Sequence, residues 1–365
     1  MPSRSGTVLS ERPESLGGEA PAARDGRNTP LLLRLLPVPL AIVGMVCLGH
    51  GLMGTNPWVH GLLTLATAYM MFCWTSTFHE TAHQTLWKTG WLNVAAGRML
   101  GTMMFVPYTL YRENHIRHHA YLNRQEDWEL WPYSDGTTSL SFRRLYVWFD
   151  LFLGILSAAL IYSRMYWHRS SPIRTGELQR TIGWEYLAIA VFWSVTWGAV
   201  SWLGQWPQHL AGVLVPLSLA GMLQTGRKLT EHLGMASYDP LHGTRTVVPK
   251  KWLVRICSYL NFDIFVHGPH HRHPRAAHHT LRGRMESYVR GNPGVDYPVY
   301  ETYGSAVRAM LPSLFLNPGC GVNAGGSQSN RLKNPDIQDF VYDVVTDVAV
   351  EPTENTLLAG SSRDI

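Results

Sequence analysis

Long uncharged runs alternate along this chain with segments dense in Arg and His. A helix needs about 20 mostly apolar residues to cross the hydrocarbon core. Four stretches approach or meet that length: Leu31 to Met53, Trp58 to Phe78, Trp184 to Leu203, and Leu210 to Thr225. Gly54-Thr55-Asn56-Pro57 reads as a tight turn between the first two, and residues 204–209 separate the second two. Arg34 stands near enough to the start of the first run to reach back toward the headgroups. Both connecting turns lack Lys and Arg, whereas Arg112, Arg117, Arg124, Arg143, Arg144, Arg227, Lys228, Lys250 and Lys251 all lie in the remaining segments. The excess of positive charge on cytoplasmic loops then places the two turns outside and everything else inside.

Two shorter apolar stretches are interrupted, Val94 to Leu110 by Arg98 and Pro107, and Leu145 to Tyr162 by Asp150. If either crossed alone, the histidine clusters described below would fall on opposite faces, so both are expected to lie at the interface. The pattern predicts an all-α integral-membrane fold: two transmembrane helical hairpins under a cytoplasmic histidine-rich cap that holds a metal site. Residues 1–29 read as a disordered cytoplasmic tail, 30–316 as the membrane domain, and 317–365 as a polar C-terminal tail with a short amphipathic stretch at Phe340 to Val350.

Composition sharpens this picture. The chain is 45% hydrophobic and 16% charged, against about a quarter charged in soluble proteins. A formal charge of +5 invites a nucleic-acid reading, but no recognition motif accompanies it, and basic residues beside apolar spans are what anionic lipid attracts. No nucleic-acid partner is expected. Cys47, Cys73, Cys257 and Cys320 are scattered, with no CxxC pair, which argues against a disulfide framework or a structural zinc.

The chemistry lies in the histidines. His79-Glu80-Thr81-Ala82-His83 ends the second apolar run, and i, i+4 spacing on a helix puts both imidazoles on one face. His115-Ile116-Arg117-His118-His119 repeats the spacing, with an adjacent pair able to splay toward two metals. His267-Gly268-Pro269-His270-His271 has the same HxxHH form, and His232 follows the last apolar run. Pro269 is tolerated in a first helical turn, so a helix is expected to start there with His267 just before it. His273, His278 and His279 crowd the same region, where any could take the place of a box histidine, and Asn261 reads either as the holder of a metal-bound water or as a polar residue at a helix end. Imidazole suits zinc, copper, iron or nickel and does not name the metal. Nine candidate ligands exceed what one tetrahedral zinc uses and fit two metals with open positions. Such a site against an apolar core suits oxygen-dependent attack on an unactivated C–H bond. The neighbouring carboxylates Glu80, Glu113, Glu126, Asp127, Glu129 and Glu231 are expected to orient histidines rather than to act as general bases.

The order HxxxH, HxxHH, a separate EH, then HxxHH closely resembles the membrane fatty acid desaturase superfamily, from about His79 to Pro274. The resemblance implies that His79, His83, His115, His118, His119, His232, His267, His270 and His271 bind two non-haem irons. It implies O2 as co-substrate, a lipid or acyl substrate, and electrons from a separate ferredoxin- or cytochrome b5-type donor. The expected function is introduction of a double bond into a fatty acyl chain by a multi-pass membrane enzyme with its active site on the cytoplasmic side. Three other readings stand beside it. One is hydroxylation or ketolation of a lipid or terpenoid by the same centre. A zinc-dependent membrane hydrolase is another. The last is a His-rich membrane metal carrier or sensor, which would want ionisable residues inside the spans. Trp74, Phe78, Phe105, Trp148, Trp193 and Met222 are candidates for lining a substrate tunnel.

Overall fold

The computed structural model describes residues 31–52, 56–173 and 175–327. Residues 1–29, Gly54 and Thr55 of the first turn, and the stretch Phe340 to Val350 therefore lie outside the described residues. Proline breaks the first apolar run into α1 (Leu31–Arg34) and α2 (Pro37–Gly49). Pro37 has no N–H to donate and sits in the first turn of the new helix, where none is needed. The 13 residues of α2 extend only about 20 Å, short of a hydrocarbon core.

The next helix, α3 (Pro57–His83), is the structural axis. The Asn56 side chain accepts from the backbone N–H groups of Trp58 and Val59, Pro57 supplies the first turn, and Gln84 ends the helix in the left-handed region. Leu62 and Leu65 are more than half exposed near its start, yet every residue from Ser76 through His83 is buried. The helix thus carries its last two turns, with two histidines, into the interior.

The stretch Val94 to Leu110 divides into α4 (Gly90–Met103) and α5 (Tyr108–Ala120) just before Pro107, which caps the second helix. The stretch Leu145 to Tyr162 divides into α6 (Leu140–Phe152) and α7 (Gly154–Trp167), bent by 120°. There follow α8 (Gly176–Trp202), α9 (Trp206–His209), a five-residue π-helical turn (Leu210–Leu214) and α10 (Val215–His232). Among the described residues, Trp206–His232 is one helix long and apolar enough to cross a membrane, and the bent α6–α7 pair qualifies only if counted as one span. Of the four expected spans, only Leu210 to Thr225 lies in that helix. The first run is cut by proline, α3 carries His60, Thr64, Thr67 and Thr75, and α8 carries Glu177, Arg180 and Glu185.

The chain closes with α11 (Pro240–Gly243), β1 (Thr246–Val247), α12 (Trp252–Leu260), α13 (His267–Arg272), α14 (Leu281–Gly291), β2 (Val299–Tyr300) and α15 (Tyr303–Leu316). β1 and β2 pair in parallel, Thr246 against Val299 and Val247 against Tyr300. α3 packs against α2 and α10, and the main hydrophobic core joins α3, α4, α5, α7 and α10. The C-terminal ends of α3, α5 and α10 meet α13 at one side of this core.

Candidate metal centre

Four helix segments bring the nine nominated histidines together, and all nine are buried. α3 supplies His79 and His83 from its last turns, and α5 supplies His115, His118 and His119. His232 is the final residue of α10, whose end is held by Arg245: its guanidinium donates to the carbonyls of Thr230, at 3.0 Å, and Leu233, at 2.6 Å. α13 starts at His267, two residues earlier than expected, so Pro269 occupies its first turn and His267 lies inside the helix. Gly268 is needed there. Its N–H donates to the Thr246 hydroxyl of β1 at 2.8 Å, and a Cβ would stand 2.9 Å from that oxygen.

The histidines form two groups. His79, His83, His115, His119 and His270 make one, and His118, His232, His267 and His271 the other, with the candidate ligand atoms of each group within 4.8 Å of one another. Both HxxHH segments are shared between the groups in opposite ways. In α5 the i and i+4 residues join the first group and the i+3 residue crosses to the second. In α13 the i and i+4 residues join the second group and His270 crosses to the first. The groups abut at His119 and His271.

In the first group Nε2 atoms face one another: His79 and His83 at 3.2 Å, His83 and His115 at 3.1 Å, His115 and His119 at 3.1 Å. In the second, Nε2 of His267 lies 2.9 Å from that of His232 and 3.1 Å from that of His271. Three of the outer nitrogens meet oxygen acceptors. Nδ1 of His115 faces a Glu129 carboxylate oxygen at 3.0 Å, Nδ1 of His118 faces Asp127 at 2.8 Å, and Nδ1 of His267 faces the Ile264 carbonyl at 3.3 Å. Oxygens of those kinds only accept, so each Nδ1 carries the proton and each Nε2 presents a lone pair inward. The lone pairs of His115 and His267 face neighbouring imidazole nitrogens in a buried site, which is the arrangement that a cation between the rings would take up. Donors about 2.0–2.1 Å from one metal sit about 3 Å apart along an octahedral edge, which these separations match. The donor set fits two metal ions.

Carboxylates hold the rings in place. Asp127 also accepts from the backbone N–H of Asn123 and Leu130, both at 3.2 Å, which fixes the oxygen that His118 meets. Burial would raise the Glu129 carboxyl, but His115 and His118 outweigh it and hold it at about 2. Burial, reinforced by neighbouring histidines, drives His119, His270 and His271 well below the ordinary histidine value, so they stand neutral and able to ligate. In His118 burial acts in the same sense, but Asp127 and Glu129 turn the shift upward. Glu80 lies 3.4 Å from Nδ1 of His79 and accepts from the Thr85 hydroxyl at 2.6 Å.

Other nominated residues fall elsewhere. His273 bonds the Tyr288 hydroxyl at 2.6 Å, and His278 packs edge-on against Phe262 beside Glu80, outside both groups. Asn261 ends α12, and its amide donates to the Tyr69 hydroxyl and the Cys257 carbonyl. A cavity of about 110 Å³, open to the outside, runs between α3, α7 and α10 and reaches Glu129 and Tyr111. Of the six tunnel candidates only Phe78 lines it; Met71, Ile161, Tyr162 and Leu217 are among the other residues of the apolar wall. Tyr111, absent from the candidates expected from sequence, stacks its ring on His115 with centroids 5.3 Å apart. Its one signal was position, four residues before a box histidine.

A family model described as fatty acid desaturase matches residues 56–299. The chain is similar to the chloroplastic omega-6 fatty acid desaturase of Arabidopsis thaliana, 25% identical over 277 residues that cover 70% of this chain and 59% of that protein. It is similar to the chloroplastic omega-6 fatty acid desaturase of Glycine max, 25% identical over 267 residues covering 68% and 61%. The chain therefore spans about three fifths of the length of these curated relatives.

Proposed function

The chain belongs to the fatty acid desaturase family, and from that premise we propose that it is an O2-dependent oxidoreductase that introduces a double bond into a fatty acyl chain at a di-iron centre. The observation that carries the reading is the pair of abutting histidine groups whose Nε2 atoms converge at 2.9–3.2 Å. The five histidines of the first group hold one iron and the four of the second hold the other. Bound iron supplies the oxidising power that an unactivated C–H bond requires. Glu129 and Asp127 keep His115 and His118 in the tautomer that ligates through Nε2. The apolar wall of Met71, Phe78, Ile161 and Leu217 receives an acyl chain and excludes water, and Tyr111 and Glu129 bring the cavity to the rim of the centre. The names of the two relatives support an acyl substrate.

In this reading residues 30–316 form the membrane domain, with two hairpins built on the four apolar runs and the histidine cap on the cytoplasmic side. Exposed Leu62, Leu65, Val191, Val195 and Trp202, each more than half accessible, supply surface for lipid. Electrons come from a separate ferredoxin- or cytochrome b5-type carrier.

The test is expression in a bacterium with a compatible ferredoxin system, total-lipid mass spectrometry, and His118→Ala as the blank. A lipid species lighter by two hydrogens and absent from the blank is the expected result. A species heavier by one oxygen would transfer the chain to hydroxylation, and iron absent from the purified protein would sink the centre altogether.

A further inference from the structure

The two histidine groups are unequal, five imidazoles against four. Beside the smaller one stands Glu231, which precedes His232 on α10. Its side chain is 3% exposed, and Oε2 lies 3.5 Å from Nε2 of His267. That nitrogen is the unprotonated one, because the Ile264 carbonyl takes the proton on the other side of the ring. The remaining oxygen, Oε1, is buried and accepts no hydrogen bond among the described residues. The Arg227 guanidinium stands 3.9 Å from Oε2, beyond hydrogen-bond range. Carboxylate against imidazole lone pair is repulsive, and a buried carboxylate with a free oxygen is costly. A cation bound between them removes both penalties.

We propose that Glu231 is itself a metal ligand, its carboxylate completing the second group so that each metal has five protein donors. The inference rests on the di-metal reading above and changes its second site from four imidazoles to four imidazoles and one carboxylate. That site then carries one negative charge more than its neighbour, which makes the two metals inequivalent. Asp127 and Glu129 act differently, since each bonds the outer nitrogen of a ring and approaches no inward-facing nitrogen.

The test uses the full chain in detergent, loaded with Co(II), whose visible absorption is several-fold stronger in four-coordinate than in five-coordinate sites. Wild type is expected to bind two cobalt ions with the weaker spectrum. Glu231→Leu, which keeps the volume and removes the oxygens, should strengthen the absorption of one site and weaken its cobalt affinity by about 100-fold or more, past what loss of an outer hydrogen bond costs. Glu231→Gln keeps shape and hydrogen bonding but not the charged ligand, so it should follow Leu, and Glu231→Asp should recover much of the affinity. Wild-type spectrum and affinity in Glu231→Gln would reduce Glu231 to a hydrogen-bonding role and overturn the proposal. Two equally five-coordinate cobalt ions in Glu231→Leu would overturn it as well while leaving the di-metal reading intact. Fewer than two cobalt ions in wild type would fail that reading, and the proposal with it.

Discussion

The rings of His119 and His271 stack with centroids 4.1 Å apart and planes at 22°, although the two residues belong to different histidine groups. Each comes from the last position of an HxxHH segment, on α5 and α13 respectively. The stack is the wall between the two groups. It separates the two groups, which have no residue in common.

Because the groups share no residue, ligand loss should be local. His119→Ala removes one donor of five from the first group, and His271→Ala removes one of four from the second. Each variant is expected to fall from two irons per chain toward about one. Iron analysis after dialysis against a weak chelator checks this. Equal retention of both metals in either variant would remove that histidine from the ligand set.

Asp127 tests orientation rather than ligation. It holds Nδ1 of His118 at 2.8 Å and is itself pinned by two backbone N–H groups, so Asp127→Asn keeps the shape and weakens the acceptor. Metal affinity of the second group should drop by about 10–100-fold while the first is unaffected, as measured by competition with a graded chelator. Uniform loss from both groups would point to misfolding instead.

The gathering of the histidines was legible because spacing follows helix geometry: i, i+3 and i+4 share a face, and all nine histidines named from spacing and resemblance lie in the two groups. What spacing does not encode is which group each residue joins. The crossing of His118 and His270 depends on how α5 and α13 are rotated against each other. Pro269 alone does not mark the start of α13, because the Thr246 hydroxyl, on a strand 22 residues earlier in sequence, receives the Gly268 N–H and holds the preceding residues in the helix. The expected spans fared less well. Hydropathy runs report composition, whereas Pro37 cuts one run and the end of α3 is buried in protein rather than lipid. Cavity lining was the least readable, since large aromatic residues such as Trp193 served packing: its indole N–H donates to the Thr102 carbonyl.

The cavity makes a size prediction. Ala158 on α7 lines it opposite Leu217, so Ala158→Phe fills space without touching a histidine. Products should shift to shorter acyl chains, read by lipid mass spectrometry, with iron per chain unchanged. An unaltered chain-length profile would place the substrate elsewhere.

Acid should destabilise the metal-free protein. Burial lowers His119, His270 and His271 below the ordinary histidine value of 6.5, so the unfolded chain binds more protons than the folded one as pH falls through 6.5. Each contributes stability that is present above that pH and lost below it, up to about 1.4 kcal/mol per pH unit while the folded site stays neutral. His118 runs the other way, its raised value giving stability below 6.5 that is lost as pH rises through the folded value. His115 and His267 are lowered as well, so on α5 and α13 five histidines stand against His118; the net is a loss, and Tm should drop between pH 7.5 and 5.5. A flat profile would contradict the buried neutral state of these rings.

The bend between α6 and α7 depends on backbone contact that no larger residue permits. A Cβ on Gly154 would meet the Gly221 carbonyl oxygen at 2.4 Å, and one on Gly221 would meet Cγ1 of Ile155 at 2.9 Å. The first obstacle is the main chain of α10, which cannot turn aside as a side-chain tip would. Gly154→Ala should therefore separate α7 from α10 and cost about 1–3 kcal/mol. Gly198, inside α8 with open space where a Cβ would stand, is the control, and Gly198→Ala should stabilise by about 0.5–1 kcal/mol through helix propensity alone. Thermal unfolding of the two variants in the same detergent should move in opposite directions. The cavity supplies a second readout, because Gly154, Ile155 and Gly221 all line it: forcing these helices apart should broaden the range of acyl chains accepted even where the protein still folds.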